Sequence, residues 1–335
     1  MSLVVPEQGP VVVPAAVGAG LSDETRAMLA EAIPENTRRS YQTQTAAFRA
    51  WCEADDRPFL PSDADTVTEY VRHLLAEGRA PGSIDVAISV IRTMHRYARV
   101  EVPDTRDARL LIRGYRRRRA DEGGRDRQAP PAVAADIRRM LDTLGDPAAV
   151  PDRARAQVLR DRVILLVGFG MFARRSELAR LDLADVTETE NGLVVYIART
   201  KTDQAARGQE RVLPYGARPD ACPVRAVRAW RTFLAEQGIV EGPLLCRIDR
   251  HGRLGGRLSG QGVDLVLKRL GAAAGVGHLS GHSLRAGAAT SAAEAGATTG
   301  QIEDGGGWAK GSTAVGRYVR QRDRWKNHPL ADVTI

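Results

Sequence analysis

The chain has 335 residues, 43% of them hydrophobic and 27% charged, with a net charge of +8 and a pI near 9.8. Those totals suit a soluble globular protein with room for two domains and a sizeable core. The longest apolar run, Val163 to Ala173, is too short to cross a bilayer, and the basic excess points to a polyanionic partner, most simply nucleic acid.

Residues 1–21 are rich in Val, Pro, Ala and Gly without periodicity and read as a disordered tail. Prolines at 6, 10 and 14 interrupt the apolar stretch and no basic residue precedes it, so it does not read as a signal peptide. From Ser22 the pattern turns helical. A short helix runs to Ile33 and breaks at Pro34; the next opens at Glu35 or Asn36, with Tyr41, Phe48 and Trp51/Cys52 in one stripe. Ser62 or Asp63 caps a third helix, with Val67, Tyr70, Val71, Leu74 and Leu75 on one face. Pro81 opens a fourth, with Ile84, Ile88, Ile91 and Met94/His95 inward, so His95 reads as a core histidine. Asp104 starts a fifth that ends in the run Arg113 to Arg119. Residues 22–121 are therefore expected to form an all-α bundle.

Charge is segregated inside that bundle. Residues 1–91 hold 7 arginines against 13 acids, whereas 92–128 hold 12 against 6, which is net −6 followed by net +6. Arg116, Arg117, Arg118 and Arg119, with Arg92, Arg96 and Arg99, are the candidate DNA contacts. Asp121 to Gly124 and Ala129 to Pro131 mark a linker, placed at 122–132.

The second domain, 133–335, is mostly helical: 133–145, 152–172, 175–183, 222–237, 259–275, 282–295, 298–305 and 312–319. One hairpin interrupts it, with strands at 192–198 and 210–214 around a long polar tip. The fold class is thus mainly α with a small antiparallel sheet, an all-α bundle followed by a mixed α/β domain. The three cysteines, Cys52, Cys222 and Cys246, are far apart and lack metal-ligand spacing. They read as reduced core thiols of an intracellular, cytoplasmic protein.

Four pieces of the second domain carry chemistry. Arg174 and Glu177 lie one turn apart at a helix start, which by itself is a capping pattern with an ion pair. Lys201 sits at the hairpin tip; it is one of four lysines against 45 arginines. His282 and Arg285 are three apart and so share a helix face, and Trp308 and Tyr318 follow. A histidine, guanidiniums, an indole N–H and a phenol together can hold an anionic centre, move a proton and supply an oxygen nucleophile.

The segments R-R-S-E-L-A-R-L (174–181), I-A-R-T-K-T (197–202), S-G-H-S-L-R-A-G-A-A (280–289), G-G-W (306–308) and Y-V-R (318–320) come in a telling order. In that order and at those separations the chain resembles the tyrosine recombinase (phage integrase) family, most closely its Cre-type site-specific recombinases. The resemblance implies that Arg174 and Arg285 clamp a scissile phosphate and that Tyr318 attacks it to form a 3′-phosphotyrosyl link. It implies that His282 assists the phenol, Lys201 protonates the leaving 5′-oxygen, and Trp308 donates to the phosphate. Glu177 would orient Arg174 or Lys201. No ATP, metal or other cofactor is implied. The expected partner is duplex DNA with an inverted-repeat site, bound by a homotetramer that proceeds through a Holliday junction, with no membrane and no small-molecule substrate. Trp325, Leu330 and Val333 would dock on a neighbouring subunit or pack on their own domain.

One departure stands out. Trp308 and Tyr318 are ten residues apart, one more than the family spacing, with Lys310-Gly311-Ser312 as the place of the extra residue; this leaves the helix phase of Tyr318 open. A type IB topoisomerase and a DNA-binding protein that has lost its chemistry are the alternatives.

Overall fold

The computed structural model describes residues 22–33, 35–124, 130–198 and 208–323. Residues 1–21, 34, 125–129, 199–207 and 324–335, and with them Lys201, Trp325, Leu330 and Val333, lie outside the described residues. The chain divides into two compact units, 1–127 and 128–335.

Among the described residues the first unit contains five helices: α1 (Asp23–Glu31), α2 (Glu35–Ala54), α3 (Ala64–Ala76), α4 (Pro81–Ala98) and α5 (Arg106–Asp121). The starts of α3 and α4 follow from local signals. The Asp63 carboxylate accepts from the Thr66 amide at 2.7 Å to cap α3, and Pro81 occupies the first turn of α4, where its missing N–H is not needed. The apolar stripes meet in one core of Phe48, Cys52, Val67, Tyr70, Val71, Ile84, Ile88, Ile91 and Ile112. His95 is wholly buried in this unit. The Ser62 amide donates to its Nε2 at 2.9 Å, so Nδ1 carries the proton and donates to the Ile91 carbonyl at 2.7 Å. Burial holds its pKa below the ordinary value. It is a structural histidine.

The second unit is built around α7 (Asp152–Gly170), which is buried on nearly every side. Around it stand α6 (Ala134–Leu144), α8 (Arg175–Arg180), α9 (Pro223–Glu236), α10 (Gly260–Ala273), α11 (Gly281–Glu294), α12 (Thr299–Gly306) and α13 (Thr313–Asp323). Inside α7, Asp161 is fully buried beside Arg160, which donates to it at 2.7 and 2.9 Å, and it also meets Arg269 of α10. Three antiparallel strands, β1 (Val186–Thr189), β2 (Gly192–Ile197) and β3 (Gln209–Pro214), lie in the order β1-β2-β3, with Val194 opposite Val212.

The sequence reading holds the β2–β3 hairpin but leaves out β1 and a second hairpin, β4 (Cys246–Ile248) with β5 (Leu254–Arg257). The reason is composition: β5 reads Leu-Gly-Gly-Arg, which carries no alternation and looks like loop. No described helix is long and apolar enough to cross a membrane.

Candidate active site

The site begins where α7 ends. Phe172 takes a left-handed φ of 51°, and the Ala173 amide closes back on the Gly168 carbonyl at 2.9 Å. The chain is thereby turned so that Arg174 becomes the N-cap of α8 and Glu177 its third helical residue. Glu177 is buried at 4% exposure and serves Arg174 twice. One oxygen accepts from the Arg174 amide at 2.9 Å and the other from its guanidinium at 2.5 Å. The capping geometry and the ion pair are one structure, and they fix the Arg174 side chain from both ends. Arg175 is exposed instead and lies 3.7 Å from Asp264.

α11 brings the next two groups. Ser280 caps it, accepting from the His282 amide at 3.3 Å, and Ser283 returns the bond to the Ser280 amide at 3.0 Å. Close approach sets its glycine: a Cβ on Gly287 would lie 1.8 Å from the Ala132 carbonyl oxygen, where the segment before α6 crosses the helix. Arg285 is 2% exposed. Its Nη1 donates to the Phe172 carbonyl at 2.6 Å and the Gly306 carbonyl at 2.9 Å. Its Nη2 is buried with no partner among the described residues.

Burial, then the charge of Arg174, pushes the Arg285 pKa down to about 9, which leaves it cationic at neutral pH. His282 is exposed. Partial desolvation, then the charges of Arg285, Arg174 and Arg317, hold its pKa below the ordinary value. A histidine kept neutral in this way can accept a proton.

The last wall is α12 and α13. A Cβ on Gly306 would meet the Trp308 ring at 1.8 Å, and Gly307 turns left-handed at φ 58°. Trp308 thus folds back on its own helix. Its ring lies under the Arg285 guanidinium, 3.6 Å from carbon to centroid, and meets Phe172 edge-on at 5.9 Å. Tyr318 and Trp308 both pack on a small core of Ala289, Ala293, Ile302 and Val315. The Tyr318 phenol is near enough to Arg285 to act on its charge. Tyr196 lies in β2 and Tyr215 just after β3, where its hydroxyl donates to Glu188 at 3.2 Å.

One residue of this site was missed from the sequence. Arg211 of β3 is 3% exposed and runs beside Arg285. It donates to the Met171 carbonyl at 3.3 Å, the Gly305 carbonyl at 2.9 Å and the Gln209 side chain at 3.2 Å. Two guanidiniums therefore staple the C-terminal end of α7 to that of α12, one carbonyl register apart. The carbonyl ends of those helices offset the cost of burying the cations.

Arg174, Glu177, His282, Arg285, Trp308 and Tyr318 are thus gathered in one place. The arrangement offers two fixed guanidiniums for an anion, a neutral imidazole and a phenol. Among the described residues no group of three metal-ligand side chains gathers.

The first unit has a second basic region. A groove of about 410 Å³ between α4 and α5 is lined by Arg92, Arg96, Arg109, Arg113 and Arg116, with Asp85 on its wall. Arg116 pairs with Asp85 at 2.5 Å, and Nε of Arg92 is buried without a partner among the described residues. Arg109 and Arg113 join this groove, whereas Arg99 ends α4 with a left-handed φ of 55°. Arg117 and Arg118 are exposed, and Arg119 lies 5.8 Å over the Tyr115 ring.

A mainly helical two-unit chain with paired arginines, a histidine and a tyrosine defines a class, and comparison with known proteins identifies it. Residues 134–324 match the phage integrase family, and residues 27–101 match the phage integrase N-terminal SAM-like domain. The chain belongs to the phage integrase family and is a tyrosine recombinase. It is 28% identical over 281 residues to an integrase/recombinase XerD homolog of Selenomonas ruminantium, covering 82% of this chain and 78% of that one. It is 26% identical over 326 residues to the Cre recombinase of Escherichia phage P1, covering 90% of each. Among solved structures, XerH recombinase bound to palindromic difH shares the fold with a TM-score of 0.61 at 12% identity, over 92% of this chain and 83% of that one. A lambda integrase dimer bound to a core site aligns with a TM-score of 0.54 at 16% identity, over 90% and 95%.

Proposed function

We propose that this protein is a site-specific recombinase that cuts and rejoins duplex DNA through a 3′-phosphotyrosyl intermediate and a Holliday junction. The observation that carries the reading is the buried Nη2 of Arg285, which has no partner among the described residues and on whose charge Arg174 and Tyr318 both act. A buried guanidinium nitrogen needs an acceptor, and a phosphate oxygen supplies one with the right charge. The Tyr318 oxygen forms the new bond to phosphorus, and its proton passes to His282. The bond from phosphorus to the 5′-oxygen breaks, and that oxygen takes a proton from Lys201, which the family motif assigns to this step. Trp308 adds its indole N–H to a phosphate oxygen.

The phosphotyrosine preserves the ester bond, so rejoining needs neither ATP nor a metal. Relatives named as recombinases over nearly the whole chain support the site-specific task. On this reading the protein acts in the cytoplasm as a tetramer on inverted-repeat sites, with residues 1–21 as a tail, 22–121 as the core-binding domain, 122–132 as the linker and 133–335 as the catalytic domain. The groove arginines Arg92, Arg96 and Arg116, with Arg99 and Arg117 to Arg119, hold the DNA backbone.

The test is covalent capture on the replicon that encodes the protein. Cells are denatured without crosslinker, protein is recovered, and attached DNA is sequenced, with Tyr318→Phe in parallel. Adducts at discrete sites that vanish in the variant are expected. Adducts at every sequence would point to a topoisomerase, and specific binding with no adduct would point to a protein without chemistry.

A further inference from the structure

The ten residues between Trp308 and Tyr318 raise the question of what holds the nucleophile helix in phase. α12 ends at Gly306, and α13 begins at Thr313. Between them Ala309, Lys310, Gly311 and Ser312 form a tight turn. The Ser312 amide reaches the Ala309 carbonyl at 3.2 Å, and Gly311 at the third position has φ 73°. That is the φ a type II turn requires there, and it favours glycine. The extra residue is absorbed as a complete turn.

A turn closed by a 3.2 Å bond and a glycine is a weak hinge for a helix that must present a nucleophile. A second acceptor reinforces it. The Glu303 carboxylate accepts from the same Ser312 amide at 2.8 Å. Glu303 is 3% exposed, and its own carbonyl accepts from the Trp308 amide at 2.8 Å. One residue therefore fixes Trp308 through its backbone and the start of α13 through its side chain.

In an ordinary capping box the carboxylate that accepts from the N-cap amide comes from the third residue of the same helix. Ser312 takes the N-cap place, since its carbonyl accepts from the Gly316 amide at 3.0 Å. The third residue is then Val315, which is fully buried and has no acceptor. Glu303 supplies across the turn what Val315 cannot, with a negative charge at the positive end of α13. Asp304 next door is different: it pairs with Lys310 at 2.6 Å, but both side chains are about 70% exposed. A pair so open to solvent holds little.

We propose that Glu303 is the positioning residue of the nucleophile helix, its buried carboxylate capping α13 in trans and setting where Tyr318 stands relative to Arg285 and Trp308. This rests on the reading of Tyr318 as the nucleophile. Glu303 does not meet the substrate; it acts through Ser312 and the turn.

The experiment compares Glu303→Gln and Glu303→Met with the unaltered protein and Tyr318→Phe on DNA carrying a site recovered by covalent capture. Initial rate of adduct formation at saturating DNA and half-saturating DNA concentration are read separately. Gln keeps an acceptor for the Ser312 amide, so its rate stays within about threefold of the parent, whereas Met loses about tenfold or more, a loss typical of misplaced reacting groups. Half-saturation changes in neither.

A parental rate in Glu303→Met overturns the proposal. So does a Gln variant as slow as Met, which would make the charge, not the cap, the active feature. Should Glu303→Met fail to fold, hydrogen exchange on the unaltered chain decides. The Ser312 amide must be protected, and exchange at the rate of free solvent-exposed amides refutes the contact. Adducts that persist in Tyr318→Phe would refute the nucleophile reading instead, and amide exchange, which needs no chemistry, separates that failure from this one.

Discussion

Arg92 of the first unit and Arg285 of the second each bury a nitrogen that has no partner among the described residues, as Arg162 does too, and the surroundings of Arg92 and Arg285 could hardly differ more. Arg92 lines a groove whose other cationic members are side chains on two helices, with Asp85 as the acid on its wall. Arg285 is held by backbone carbonyls from the ends of α7 and α12, sits over an indole, and has Arg211 locked beside it by the same two helix ends. The neighbours of Arg92 in the groove, Arg96, Arg109 and Arg113, are exposed, and a guanidinium on a solvated helix face can move to meet a phosphate wherever it lies. One held by carbonyls cannot move, and its orientation is fixed before substrate arrives. On the proposed function the first kind would contribute affinity and the second rate, because preorganised donors cost no reorientation as charge develops.

The sharpest way to break that contrast is Arg285→Lys. An ammonium keeps the charge but cannot span Phe172, Gly306 and a phosphate oxygen together. Adduct formation is expected to fall by about 10²-fold or more, with DNA retention little changed. A rate within about tenfold of the parent would mean that charge alone suffices. Glu177→Ala comes next. It strips the buried partner from the Arg174 amide and guanidinium, whose side chain is only 21% exposed. A loss of roughly 3 kcal/mol in urea unfolding is expected, as for other broken buried pairs. A loss under about 1 kcal/mol, the scale of a surface pair, would show that Arg174 is not held by Glu177.

The two units should also answer acid differently. His95 and His282 both have pKa values held below the ordinary one, chiefly by burial. In each case the unfolded chain takes up the proton first as pH falls. Their stability contribution is therefore whole above about 6.5 and is lost as pH drops below it toward the folded values. Thermal midpoints between pH 7 and about 5.5 are expected to decline, and His95→Gln should remove more of that slope than His282→Gln. His95 is fully enclosed, whereas His282 is exposed. Equal slopes in both variants would contradict the burial account.

What could be read from sequence was what is local. The Arg174–Glu177 pair is an i,i+3 pattern, and the helix faces of α3 and α4 follow from periodicity. Arg211 was not legible because β3 inverts the usual alternation. Arg211 and Leu213 point inward while Val212 is 74% exposed, so an arginine lies where the pattern suggests a valine. Of the three glycines before Trp308, Gly307 carried the signal, since a Cβ there would press on the Arg211 guanidinium. Glu303 was hidden for the same reason: its partner is nine residues on, across a turn, and no local rule pairs them. Long-range partners of buried charges are decided by packing, which the chain order does not display.

The smallest expected effect lies in the groove. Arg113→Ala removes one side chain from a wall shared with Arg92, Arg96, Arg109 and Arg116. If these arginines meet phosphates, loss of one weakens binding on any sequence about equally and lowers the slope of log affinity against log salt by about one. Adduct rate at saturating DNA should not change, because no residue of the second unit has been touched. Arg116→Ala is the internal control. Its guanidinium is already engaged with Asp85, so it must give up that pair to bind DNA, and its removal should cost less affinity than that of Arg113. A change confined to one DNA sequence would assign the groove to base reading, and a change in saturated rate would erase the division between the two kinds of arginine.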